Sequence, residues 1–187
     1  MRFRCLLTPV VLTALASTAR GQHPIPPEVS QFAFLVGQWE LTAKPPTKSF
    51  AEKIHGVRSL SGTWRASRAL DGLGIDDEMR IVDPQGNPHL VVHSLRMYDA
   101  SAKRWQSATF DVFGLGLLPM SGAWDGKELT VTSNALGADK KGLLRCRFHD
   151  IAPNTFAFTE DRSADGGATW TELFTVEAKR VTTGASR

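Results

Sequence analysis

The sequence predicts an all-β chain, an antiparallel up-and-down barrel of roughly ten strands preceded by a short helix. Three observations lead there. Short runs alternating apolar and polar residues recur along most of the chain, turn residues separate nearly every pair of them, and helical spacing vanishes beyond residue 36. The composition agrees: 187 residues, 42% hydrophobic and 22% charged, with 16 Gly and 10 Pro, exclude a collagen, a disulfide-stapled miniprotein and a disordered tail. No run reaches the ~18 apolar residues that a membrane-spanning helix needs, so no membrane span is expected.

The chain opens with Met1-Arg2-Phe3-Arg4, then the apolar run CLLTPVVLTALA, then the small and polar STARGQ. A basic head, a short greasy middle and small residues before a polar start describe a secretory signal peptide over residues 1–21. Cleavage after Ala16 and after Gly21 both fit the small-x-small rule, and Gln22-His23-Pro24 beginning a polar segment favours the second. An extracytoplasmic protein, periplasmic or secreted, is expected. Cys5 stands at the start of the apolar run rather than its end, so no lipid anchor is implied. Residues 1–21 hold Arg2, Arg4 and Arg20 and no acid, so their removal takes Lys+Arg from 22 to 19 against 19 Asp+Glu, and the net charge from +3 to 0. A balanced mature chain lacks the field that attracts nucleic acid. Loss of Cys5 also leaves Cys146 without an internal disulfide partner, and its setting in LLRCRFHD reads as a small buried hydrophobe.

The mature chain divides into a Pro-rich lead and helix start over 22–33, a barrel domain over 34–181 and a flexible tail over 182–187. VSQFAFLV (29–36) spaces apolar residues loosely as a short helix or turn. The strand runs follow: QWELTA, SLSGTWRASRAL, GIDDEMRIV, HLVVHSLRMYD, KRWQSATFDVF, MSGAW, ELTVTSN, GLLRCRFHDI, TFAFTEDR and TWTELFTVEAKRV. Asp125-Gly126 and Pro153-Asn154 are hairpin signals between neighbours. Alternation places Leu144, Cys146 and Phe148 on one face, Phe156 and Phe158 on another, and Trp170, Phe174 and Val176 opposite Leu173 and Thr175. Strands in sequential order without helices between them favour a meander closed on itself, which removes exposed edges. A sandwich is the competing closure, but no connection of Greek-key length is visible. The segments 42–56 and 114–119 are read as mobile loops.

FLVGQW (34–39) opens the first strand with Gly-x-Trp after the short helix, Gly62-Thr63-Trp64 repeats that spacing, LRMYDASAKRW (95–105) forms a hairpin, and WDGKEL precedes a closing strand that ends in Lys179-Arg180. Together these motifs resemble the lipocalins and other calycins, and in particular a family of exported bacterial lipocalin-like proteins catalogued only as a domain of unknown function. The resemblance spans nearly the whole mature chain and implies a calycin-like barrel without supplying a reaction. A more distant similarity to haem-binding barrels of the nitrobindin type implies an axial His, a role to which no His here aligns.

Ser163-Ala164-Asp165-Gly166-Gly167-Ala168-Thr169-Trp170 matches the Asp-box of sialidase propellers. A propeller needs several blades, so the box is read as a structural turn in which Asp caps and Gly supplies positive φ. Asp76-Asp77-Glu78 cannot converge on one cation from a straight strand, because neighbours point to opposite faces, and reads as a solvated hairpin end. His23, His55, His89, His93 and His149 have no zinc-motif spacing, and no nucleophile elbow is present, so neither a metal nor any other cofactor is called for. A barrel of this size leaves room for a small ligand. Trp64 with Arg68, Arg96 with Tyr98, and Trp105 with Asp111 are the candidate wall, with a polar head paired to an Arg and an apolar body against Trp. His93, on the face of Val91, Leu95 and Met97, is either a core group or a ligand. The expected function is binding of a small, largely apolar molecule. The alternatives are a barrel enzyme working through His93 or Asp111, and a packed interaction module without a cavity.

Overall fold

The computed structural model describes residues 24–47, 58–114, 116–134, 136 and 141–182. The expected signal peptide over 1–21 lies outside them, as do most of the loop 42–56 and all of the tail beyond residue 182. A 3₁₀ helix, Pro27–Leu35, precedes ten strands: β1 (Gly37–Lys44), β2 (Leu60–Ala69), β3 (Gly74–Val82), β4 (Pro88–Asp99), β5 (Arg104–Asp111), β6 (Gly116–Trp124), β7 (Leu129–Ser133), β8 (Leu143–Ala152), β9 (Thr155–Ser163) and β10 (Thr171–Arg180). Each strand pairs antiparallel with the next, and β10 returns to pair with β1. The result is a closed up-and-down barrel with no free edge.

One end of the barrel is sealed. The 3₁₀ helix lies across the end of the barrel where β1 begins and β10 finishes, and it buries Val29, Phe32 and Leu35. Phe32 meets Trp105 and Phe148 edge-to-face at centroid distances of 4.7 and 5.3 Å, an arrangement that aromatic quadrupoles favour. The Trp39 indole donates to the Leu35 carbonyl at 2.8 Å, which ties the helix to β1. Arg180 then spans three elements. Its guanidinium lies 4.0 Å over the Trp39 ring and donates to the carbonyls of Phe34, Val36 and Pro153. The Gly of Gly-x-Trp has a physical reason here: Gly37 has φ +131°, and a Cβ on it would come within 2.5 Å of the Arg180 guanidinium.

The start of β6 and the alternation along β10 differ from expectation. Gly116 to Pro119 belongs to β6 rather than to a loop. Pro119 stands where the β6–β7 ladder ends: its carbonyl accepts from Asn134 N, it has no N–H to return the bond, and the last pair is Met120↔Ser133. In β10 a bulge between Glu172 and Phe174 breaks strict alternation, and both Leu173 and Phe174 pack toward the interior. The Asp-box is the β9–β10 turn. Asp165 accepts from Thr169 N and Oγ1 and from Ser163 Oγ, and Gly166 and Gly167 adopt φ of +75° and +94°. These bonds hold the Asp165 carboxyl well below the ordinary range.

Candidate ligand-binding cavity

Beyond the aromatic layer at the sealed end, the inward side chains become shorter and the interior is not filled. A cavity of about 600 Å³ runs from Trp64 and Arg96 at its floor to Asp111, Gly142, Arg162 and Ala164 at the opposite end. Its walls are Met79, Leu90, Val92, Leu118, Met120, Leu144, Phe158 and Leu173, the inward positions of six strands. A side lobe of about 140 Å³ shares Leu90 and Leu173 with it. The volume lies within the range that small-molecule sites occupy.

The floor carries a buried ion pair. Arg96 donates through Nε and Nη2 to the two Asp77 oxygens at 2.5 and 3.1 Å, and the Trp64 indole donates to Asp77 Oδ1 at 2.9 Å. Asp77 is 2% exposed and Arg96 6%. The guanidinium lies 5.3 and 5.4 Å from the ring centres of Phe32 and Phe148. This geometry satisfies both charges with charge-assisted bonds, so the pair presents little net field to the space above it. Midway up, Ser94 and Thr109 share a hydrogen bond at 3.0 Å. On β9 the Glu160 carboxyl faces the cavity beside the Cys146 thiol, with Sγ donating to Oε2 at 3.8 Å. Burial, followed by the Asp111 charge, pushes Glu160 up to about 7. Burial and the Glu160 carboxyl push the Cys146 thiol up as well, which makes it a poor nucleophile.

The structure separates the residues expected to form one wall. Trp64, Arg96 and Asp111 line the cavity. Trp105 and Tyr98 lie at the sealed end, where Trp105 donates to Gln31 Oε1 at 3.0 Å and the two rings meet edge-to-face. Arg68 is exposed near the same end of β2. His93 does share a face with Val91, Leu95 and Met97, but that face is the outside of the barrel: Leu95 and Met97 are exposed, and the His93 ring meets Asp76 at 3.0 Å. The register pairs His93 with Phe110 and Val92 with Asp111, so His93 and Asp111 sit on opposite faces of the wall. The two cannot act together on one ligand.

Asp77 and Glu160 were missed. The acids 76–78 stand in mid-strand, with Asp76 and Glu78 outward and Asp77 inward, rather than at a solvated hairpin end. The signal was in the alternation, since Asp77 shares its face with Ile75, Met79 and Ile81, and Glu160 shares its face with Phe156 and Phe158. An acid on an otherwise apolar face must be buried with a partner or perturbed. Outside the mouth, Phe110, Val112, Phe113 and Leu117 form an exposed apolar lip at the β5–β6 turn.

Comparison of the sequence with protein-family models and with curated proteins gives no match.

Proposed function

We propose that this chain is an exported binding barrel for a small, largely apolar molecule, and a member of the exported lipocalin-like family its motifs resemble. The carrying observation is the unfilled, mainly apolar cavity of about 600 Å³ above a sealed aromatic floor. Filling that space with large side chains would bury more apolar surface and stabilise the fold, so an interior left open is the feature a binding role requires. The N-terminal run of residues 1–21 supports delivery outside the cytoplasm.

Native mass spectrometry of the protein isolated from a producing cell's periplasm or medium tests this reading. The expected spectrum contains, besides bare protein, a 1:1 adduct on the order of a few hundred daltons, the size such pockets hold. A saturating ligand at a hundred times its Kd adds about 2.7 kcal/mol of stability, visible as a thermal shift. Bare protein together with no shift across a panel of lipids and haem would overturn the reading.

A further inference from the structure

We infer that the cavity selects apolar molecules carrying a protonated amine and discriminates against fatty carboxylates. The inference rests on the binding role proposed above and specifies its ligand class.

Its basis is the placement of charge around the space. Among the described residues, five ionisable side chains other than Cys146 line the cavity: Asp77, Arg96, Asp111, Glu160 and Arg162. Arg96, the cation at the floor, is bidentate to Asp77 and flanked by Phe32 and Phe148. A ligand carboxylate reaching it would have to displace Asp77 and leave that acid buried without its partner. Arg162 stands at the exposed rim, where an ion pair contributes little. Higher up the wall the polarity is acidic. Glu160 points inward between Phe158 and Arg162 on β9, and among the described residues its hydrogen-bond partner is the weak Cys146 donor at 3.8 Å. Asp111 on β5 raises its carboxyl further, as does Asp161, which lies on the outer face with Arg145 and Arg147. A desolvated carboxyl without a strong donor is an acceptor site awaiting one, and an ammonium supplies both the donor and the charge. A carboxylate head placed there would meet repulsion instead.

The groups facing Glu160 also fix the sign of a pH effect. They are Cys146 from β8, Arg162 from β9, Asp111 across the cavity, and the mutually neutralised Asp77 and Arg96 below. Glu160 takes up its charge as pH passes about 7, while an alkylammonium remains protonated. Amine binding should therefore strengthen from pH 6 to pH 8, and alcohol binding should not.

The test is a matched series of decylamine, 1-decanol and decanoate, each below its micellar concentration, titrated calorimetrically into the intact mature protein at pH 6 and pH 8. The expected result at pH 8 is decylamine at least about tenfold tighter than decanoate, as one charge-assisted contact permits. That preference should shrink at pH 6 and largely vanish in Glu160→Gln. Equal or tighter binding of decanoate overturns the inference, as does an amine preference that Glu160→Gln and pH both leave unchanged. The pH comparison is made within the wild-type protein, so it does not depend on how the variant folds. Failure of all three to bind overturns the cavity-binding role itself, whereas decanol or decanoate binding without amine preference overturns the ligand class alone.

Discussion

Asp77 and Arg96 show how a charge can be left inside a barrel at tolerable cost. Each satisfies the other twice, and Trp64 takes up remaining acceptor capacity. Removing one partner leaves the other uncompensated, so Asp77→Asn or Arg96→Met should each destabilise the fold by about 3–5 kcal/mol in urea denaturation. The double variant Asp77→Asn with Arg96→Met should cost less than the two singles summed, which a double-mutant cycle would reveal as coupling. Glu160 behaves oppositely. The unfolded chain releases its proton near 4.5 and the folded chain near 7, so between those values the folded state binds more protons and stability falls as pH rises. Glu160→Gln should flatten that slope and raise stability at pH 8 by roughly 2 kcal/mol, measured against wild type at pH 5 and pH 8.

One side chain, Arg180 of β10, reaches the 3₁₀ helix, β1 and the β8–β9 turn together. Arg180 links the carbonyls of Phe34, Val36 and Pro153 and covers Trp39, and a lysine cannot reproduce a planar fork that serves three acceptors. Arg180→Ala should lower stability by about 2–3 kcal/mol, and Arg180→Lys should recover less than half of that loss. Greater protease sensitivity at residues 24–36, with β4–β8 unaffected, would localise the effect. The strands themselves were readable because alternation and turn residues are local signals; Asp125-Gly126 and Asp165-Gly166 mark their turns by chemistry that acts within a few residues. The β10 bulge and the start of β6 were not readable, since each depends on where a neighbouring strand ends or slips.

For the molecule as a whole, sequential order and hairpin spacing foretold a closed meander, because ten half-buried strands with short links have few other ways to hide their edges. Which face of each strand turned inward was harder to foresee. β4 reads apolar on both faces, with Leu90 and Val92 inward but Val91, Leu95 and Met97 outward, and this ambiguity placed His93 within reach of a ligand when it lies outside. Even spacing singled out Trp64, Arg96 and Asp111, which line the cavity, together with Arg68, Tyr98 and Trp105 on the same three strands, which do not. The sealed end could not be anticipated, since Trp105 meets Gln31 of the helix only through closure. No helix among the described residues is long and apolar enough to cross a membrane. The exposed lip at Phe110 and Phe113 is a second apolar surface, so probe binding has to be assigned to the interior before it supports the cavity. The most direct measurement is titration with the neutral fluorophore N-phenyl-1-naphthylamine, following the probe's own emission on direct excitation, in wild type, in a cavity-filling Val92→Phe variant and in Phe110→Ser/Phe113→Ser. An interior site gives saturable 1:1 binding that the filling variant abolishes and the lip variant retains; binding that survives Val92→Phe, or is lost with the lip, would place the site outside the cavity.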